Sequence, residues 1–530
     1  MNYHNIIKKT VLIFGYAAIF LLSEYLYRNI YNIPTIRHLS EAYIINVSFV
    51  LFMVFVKYRF TKIIIWLFFT ISIIANNIHY EVYKSWINST NYLLMFIELD
   101  EVSAAGNSML AKLFIPTIWG IIESLLFASI AFVIKPKKGY RLVDTVFILL
   151  LVFICVRSFY TTQQHGISPN PDYSRLKANY FTLGHFIGRI IPYYCIDLSD
   201  VPTYSIDEPN VESPPKIKNI IFVVGESQNI NNMGVFGYHR DTTPFLSYLD
   251  QYNTQAVIKP TISGAVMTAI SLPTLFNAIE KPNGSLQISK GTTNLFYLAK
   301  KQGYNTQFYS AQAENQMMIM NIIGLRWIDK LVFPTELGYK KSDNMPDSYL
   351  INYLKEVNLN SSQPNFIILH QRGSHVPYGT LLNDDDRVFG TETIIDKYDN
   401  TIHKTDQILQ SIYDYLNSTG KNDWILVFTS DHGQNVSNET FNHGQFTASS
   451  YTVPTLIYSP NYHIQSNIKE QLDKCNVLYH QQISTLLISL MGYDRPMSDC
   501  KIGYVNGNLL TGDSGYLEIN QQTGEIKNIQ

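Results

Sequence analysis

Apolar residues are unevenly spread along these 530 residues. Five runs in the first third are almost continuously hydrophobic: residues 10–28, 41–56, 63–80, about 111–134 and 142–159. Each approaches the roughly 20 residues that a helix needs to cross hydrocarbon, so the pattern predicts a five-helix transmembrane domain over residues 1–160. The first run lacks a clean small-residue cleavage site and four further spans follow it, which reads as a retained anchor rather than a signal peptide. Residues 161–216 are polar and aromatic with one amphipathic stretch, the pattern of a linker at the membrane interface. A Pro-containing stretch from Asn210 to Pro215 closes it.

Beyond it, over residues 217–530, short β-rich runs alternate with amphipathic ones. NIIFVV, NTQFYS, NFIILH and WILVFT read as parallel strands of a covered sheet, and PDSYLINYLKEV and YDNTIHKTDQILQSIYDYLN as helices packed on it. Strand-helix alternation predicts an α/β sandwich whose ligands gather beyond the carboxyl ends of the strands. The polar motifs fall at those ends: Gly-Glu-Ser after VV, His-Gln-Arg-Gly-Ser-His after IIL, and Ser-Asp-His-Gly after VFT.

Charge orients the chain. Lys8 and Lys9 precede the first span, Lys57, Arg59 and Lys62 join the second to the third, and Lys135, Lys137, Lys138 and Arg141 join the fourth to the fifth. The connection between spans three and four instead carries Glu98, Asp100 and Glu101. Basic loops stay in the cytoplasm, so everything beyond residue 160 is expected outside it. There cytosolic ATP is not at hand, and a donor held in the membrane is favoured. Composition agrees: 15% charged residues is below the roughly 25% of soluble domains. A net charge of -2 leaves no basic excess for nucleic acid. Of four cysteines, Cys155 lies in an apolar run and Cys195 follows an aromatic stretch, while Cys475 and Cys500 flank a predicted helix and leave a disulfide between them open.

The chemistry rests on two strand ends. Ser227 is the candidate nucleophile, because coordination of a hydroxyl to a divalent cation lowers its pKa and supplies an alkoxide. Glu226, Asp431 and His432 add anionic oxygens and one imidazole, a ligand set suited to Zn2+ and acceptable to Mn2+. Alone, a Ser at a strand exit is more often a helix cap; the four residues together favour a metal. His375 and His443, each in a Gly-containing turn, are candidates to hydrogen-bond a phosphate or protonate a leaving alkoxide. His370 reads as buried, His239 as part of a turn with Arg240 and Asp241, and His480 as structural.

The chain resembles the alkaline phosphatase/sulfatase superfamily, and more narrowly the membrane phosphoethanolamine transferases that modify lipid A or lipopolysaccharide core. The likeness is carried by VVGESQNINNMGVFGYHRDTTP, SGAVMTAISLP at 263–273, HQRGSHVPY at 370–378, YDNTIHKTD at 398–406, SDHGQN at 430–435 and FNHG at 441–444, in that order. It implies a C-terminal α/β/α alkaline-phosphatase-like, sulfatase-like domain in the periplasm of a bacterial inner-membrane protein. It also implies Glu226, Asp431 and His432 as metal ligands, Ser227 as the attacking hydroxyl, and His375 and His443 around the donor phosphate. Zinc, a phosphatidylethanolamine donor, a lipopolysaccharide acceptor, a phosphoethanolamine-enzyme intermediate, release of diacylglycerol and a monomeric chain are expected with it.

The sequence departs from that pattern in places. Ser stands at 227 where Thr is commoner, which keeps the hydroxyl. Gln434 stands where Glu is frequent, and Gln312-Ala313-Glu314-Asn315 lacks the lysine of some lipid A enzymes. No cysteine lies in SGAVMTAISLP, so packing replaces a disulfide there. Glu98 and Glu101 are candidates for an ethanolamine-facing part of the donor cleft, with a solvated turn the equal reading. A phosphoglycerol transferase of envelope glycans shares these features. A hydrolytic sulfatase fits less well, because the CxPSR signature is missing. A non-catalytic envelope-assembly scaffold predicts that Ser227→Ala changes nothing.

Overall fold

The computed structural model describes residues 3–97, 102–103, 106–107, 109–134, 138–160, 169–196, 199–253, 255–317, 319–438 and 441–529. The chain divides into two compact units, Met1–Leu198 and Ser199–Gln530.

The apolar runs of the first unit fold as helices α1 (Tyr3–Ile30), α2 (Leu39–Phe55), α3 (Arg59–Tyr83), α5 (Leu110–Val133) and α6 (Arg141–Tyr160), with the short α4 (Ser89–Ile97) after α3. Four of them are long and apolar enough to cross a membrane, and α2 is shorter, at 17 residues; this is a multi-pass membrane unit. Part of the expected interfacial linker belongs to this unit as α7 (Arg175–His185), capped by the Ser174 hydroxyl, with Arg175, Leu176, Ala178 and Asn179 buried. The reason is electrostatic. Glu24 of α1 accepts from both Nε and Nη2 of Arg28, at 3.1 and 2.8 Å, and from the Arg175 backbone N–H at 3.0 Å. The Arg175 guanidinium donates to Glu123 of α5 at 3.0 Å and to Asn77 of α3 at 2.8 Å. Two cations and two anions, all buried, compensate one another where an unpaired charge would be prohibitive.

The second unit is built on an eight-stranded sheet whose strands are, along the chain, β1 (Asn219–Gly225), β2 (Val257–Ile262), β3 (Asn305–Ser310), β4 (Lys330–Val332), β5 (Asn365–His370), β6 (Trp424–Ser430), β9 (Thr452–Tyr458) and β10 (Leu478–Tyr479). Their spatial order is β10-β2-β9-β6-β1-β5-β3-β4. The block β6-β1-β5-β3-β4 is parallel, and β9 runs antiparallel to both β6 and β2. All seven residues of β1 are buried because both faces are covered. Ile220, Phe222 and Val224 enter one core, while Ile221 and Val223 enter the other. The α/β/α sandwich is thus present. Two short strands, β7 (Asn435–Val436) and β8 (Phe441–Asn442), form a hairpin. A separate antiparallel sheet follows, of β11 (Ile502–Asn506), β12 (Tyr516–Asn520) and β13 (Glu525–Ile529). Cys475 and Cys500 form a disulfide with a Cα–Cα separation of 5.8 Å.

Helix α9 (Ile394–Ser418) carries the YDNTIHKTD motif and ties its residues to the strand-end loop. Tyr398 donates to the Ser227 carbonyl at 2.7 Å, Asp399 accepts from Asn232, Tyr238 and Arg240, and Thr405 accepts from Gln228. Asp406 caps helix α8 (Pro244–Tyr252), accepting the N–H groups of Phe245 and Leu246 at 2.7 and 3.0 Å. Burial pushes the Asp406 carboxyl up to about 7, against roughly 3.9 in an unfolded chain. Between those values the unfolded state releases its proton first, so this group's contribution to stability is full at low pH and falls as pH rises from about 4 through about 7. Asp406→Asn, which cannot ionise, is expected to flatten melting temperature against pH over that window; a profile as steep as the parent's counts against this account.

Candidate active site

The carboxyl ends of β1, β5 and β6 lie side by side, with Gly225 opposite Ser430 and Val224 opposite His370 in register. Chain direction therefore delivers Glu226-Ser227 and Asp431-His432 to one place. Ligand atoms of Glu226, Asp431 and His432 lie within 4.8 Å of one another, and all three residues are buried. His432 Nε2 is 3.4 Å from Glu226 Oε1 and 3.5 Å from Asp431 Oδ2. Ser227 Oγ donates to Glu226 Oε1 at 2.7 Å. Ser227 has a left-handed φ of +59°, a conformation that costs a non-glycine residue free energy and clusters at functional positions. It is held by Asp431 Oδ1, which accepts the N–H groups of Ser227 and His432 at 3.1 and 2.7 Å.

These residues fit a divalent cation. His432 Nδ1 faces the Gly433 carbonyl at 2.8 Å; a carbonyl only accepts, so Nδ1 carries the proton and Nε2 presents its lone pair to the cluster. Asp431 Oδ2 is buried with no hydrogen-bond partner among the described residues, an acceptor awaiting a positive charge. Burial, then the neighbouring Asp431 charge, pushes Glu226 up to about 7, and burial raises Asp431 as well. Such crowding of carboxylates is relieved by a metal ion.

His443 stacks on His432 with ring centroids 4.8 Å apart. His375 Nδ1 lies 2.6 Å from the Val376 carbonyl, so its proton is on Nδ1 and Nε2 is the basic nitrogen; the adjoining Ser374 N–H donates to the Glu226 carbonyl at 2.9 Å. The six candidate residues therefore come together. His370 is buried and held near 3 by desolvation. Arg240 of the His239 turn pairs with Asp396 and Asp399. His480 is also more than filler: its Nε2 is 3.0 Å from the Ser430 carbonyl and its Nδ1 accepts from Gly264 N–H at 3.3 Å, joining two motifs behind the site. Glu98 and Glu101 lie outside the described residues.

Sequence reasoning missed several neutral partners. Thr268 Oγ1 is 3.1 Å from both Glu226 Oε2 and His432 Nε2. Gln312 Nε2 donates to Glu226 Oε2 at 2.9 Å; Glu314 instead pairs with Lys341 at 2.9 Å. Ser271 donates to the Asp431 carbonyl, and Gln434 donates to Tyr378 at 2.8 Å. Thr268 and Ser271 sit within SGAVMTAISLP, and Gln312 and Gln434 stand at departures from the family pattern, the role of Gln312 being left open by the sequence. Gly373 is also required: its φ is +51°, and a Cβ there would stand 2.9 Å from both the N and O of Glu226. Gly373→Ala is expected to cost about 2 kcal/mol of stability and, by moving Glu226, roughly 100-fold in rate. Melting temperature and single-turnover kinetics check this; a variant as fast and as stable as the parent refutes it.

Fold and site together define an alkaline-phosphatase-like α/β domain with a strand-end hydroxyl beside a carboxylate–imidazole cluster, in a chain that also contains a membrane unit. The sulfatase family pattern matches residues 218–493, and the chain belongs to the sulfatase family. Among curated proteins it is 25% identical over 357 residues to the putative transferase YhbX of Escherichia coli K12, covering 64% of this chain and 57% of that one. It is 26% identical over 332 residues to the phosphoethanolamine transferase EptA of Helicobacter pylori, covering 57% and 61%. The chain thus spans somewhat over half the length of these relatives. The integral membrane lipooligosaccharide phosphoethanolamine transferase A from Neisseria meningitidis has the same fold, with a TM-score of 0.60 at 17% identity over 86% of this chain and 88% of that one.

Proposed function

We propose that this protein transfers phosphoethanolamine from phosphatidylethanolamine to a lipopolysaccharide acceptor, lipid A or a core sugar, through a phosphoserine-type ester on Ser227. The observation that carries the reading is Ser227 Oγ, held 2.7 Å from Glu226 beside the buried Asp431 and His432. The named transferases among its relatives support the transferred group. Glu226, Asp431 and His432, with Ser227 Oγ, would hold a metal, and one imidazole with carboxylates suits zinc. When bound it neutralises charge on the phosphoryl oxygens and favours the ionised hydroxyl.

In the first displacement Ser227 Oγ forms the new P–O bond while the phosphorus–glycerol oxygen bond breaks, and diacylglycerol leaves with a proton. In the second, an acceptor hydroxyl or sugar phosphate attacks the serine ester and restores Ser227. His375 and His443 supply and take the protons at the leaving and entering oxygens. Gln312 and Thr268 fix the Glu226 carboxylate. A location in the inner membrane with the catalytic unit in the periplasm is supported by the basic loops and by the Cys475–Cys500 disulfide, which belongs to an oxidising compartment.

The test is intact-mass analysis of the purified full chain mixed with phosphatidylethanolamine or with phosphatidylglycerol. Gain of one phosphoethanolamine group from the first lipid alone is expected. Gain of phosphoglycerol from the second alone identifies a phosphoglycerol transferase, and no gain from either removes the covalent reading.

A further inference from the structure

The sheet β11-β12-β13 lies beyond the residues that match the family, yet its first strand ends at the site. Asn506 pairs with Ala265 as a parallel bridge, donates its N–H to the Gly264 carbonyl at 2.9 Å and accepts from Val266 N–H at 3.2 Å. Val266 in turn accepts from Gly444 N–H at 3.1 Å. The end of β11 is thereby stitched, through the segment leading to Thr268, to the turn that carries His443. Gly507 follows, so tightly packed that a Cβ would stand 2.8 Å from Ser514 Oγ and 2.9 Å from the Gly515 carbonyl. Gly507 N–H donates to Gly515 at 3.0 Å, and Leu509 N–H to Ser514 Oγ at 2.9 Å. Asn508 is fixed between these two contacts.

Its amide end meets the His443 turn: Oδ1 is the nearest heavy atom, at 3.4 Å, to a Cβ built on Gly444. Asn508 is 8% exposed, and Oδ1 has no hydrogen-bond partner among the described residues. Leaving a carbonyl buried and unpaired costs about 1–3 kcal/mol, and beside the turn that carries His443 a ligand's donor would relieve that cost. The ligand must donate, because an amide oxygen only accepts. In a phosphatidylethanolamine donor the phosphate and the acyl esters offer acceptors alone; the ethanolamine ammonium is the group that offers N–H donors.

We propose, resting on the transfer reaction above, that Asn508 Oδ1 is a substrate-binding acceptor on the His443 side of the site. It takes a hydrogen bond from a substrate N–H or O–H group: the ammonium of the donor headgroup, or a hydroxyl of the glycan acceptor. The sheet beyond the family match thus supplies part of this enzyme's substrate recognition.

Asn508→Leu removes the acceptor at similar size, and Asn508→Asp keeps it and adds charge. Both are made in the full-length protein, with melting temperature measured alongside. The rate of serine-adduct formation is followed with phosphatidylethanolamine and with phosphatidylcholine, whose trimethylated nitrogen has no N–H, and the rate of adduct loss to the acceptor is followed separately. If the ammonium is the partner, Asn508→Leu slows adduct formation from phosphatidylethanolamine by roughly ten-fold or more. Preference over phosphatidylcholine then shrinks toward unity, and Asn508→Asp restores both. If an acceptor hydroxyl is the partner, adduct formation is normal and its loss to the acceptor slows instead. Unchanged rates in both steps overturn the inference, as does an equal slowing with both lipids that Asn508→Asp fails to rescue. Absence of any adduct in the unaltered protein overturns the transfer reaction and the inference together.

Discussion

Ser227→Ala is expected to lower transfer by roughly 10⁴-fold or more and to abolish the serine adduct, because removing the nucleophile removes the route and leaves only residual electrostatic assistance. The substitution deletes one oxygen, whose recorded hydrogen bond goes to Glu226. The backbone N–H that binds Asp431 and the carbonyl that binds Tyr398 remain. Folding should therefore persist, with metal held more weakly because one of its four proposed ligands is gone, and envelope lipids from cells carrying the variant should lack the added group. Ser227→Thr keeps the hydroxyl and is expected to keep measurable transfer. Wild-type transfer by the alanine variant would sink the covalent route and leave the scaffold reading standing.

Asp431→Asn is expected to separate metal binding from folding. Asp431 Oδ1 holds the N–H groups of Ser227 and His432, a task that an amide oxygen also performs, whereas the unpaired Oδ2 becomes an NH2 group among would-be metal ligands. Bound metal, measured by elemental analysis, should fall to near zero, and transfer should fall by on the order of 10³-fold. The metal-free variant should melt no lower than the metal-free parent, since it has lost a buried like-charge contact. Added zinc should raise the melting temperature of the parent alone. A variant that retains metal and activity refutes the ligand assignment.

How much of this was legible in the sequence follows from how each element is buried. Strands β1, β5 and β6 are largely apolar runs because both faces of the sheet are covered, and the polar motifs at their ends mark the site without knowledge of the register. Strands β2 and β9 were missed because each carries a proline, at 260 and 454, and these two residues face one another across the antiparallel pair. A proline argues against a strand interior unless no ladder bond is demanded of it. The charged and nucleophilic site residues stood out because their chemistry is rare in such positions. Thr268 and Asn508 did not, and Gln312 stood out only as a departure without a role, since a neutral polar residue gains its meaning only from what folds beside it. The segment over 175–185 reads as amphipathic and interfacial, but its polar face is occupied by Glu24, Glu123 and Asn77.

That last contact bears on how the protein is made. Arg175 lies 151 residues after Glu24 and 52 after Glu123, so during synthesis α1 and α5 enter the lipid before the cation that unites their carboxylates exists. Until residue 175 emerges, the cluster holds two acids and only Arg28, and the membrane bundle is short of one positive charge. A chain interrupted before this helix therefore retains an uncompensated acid among its spans, a cost that the finished unit does not bear.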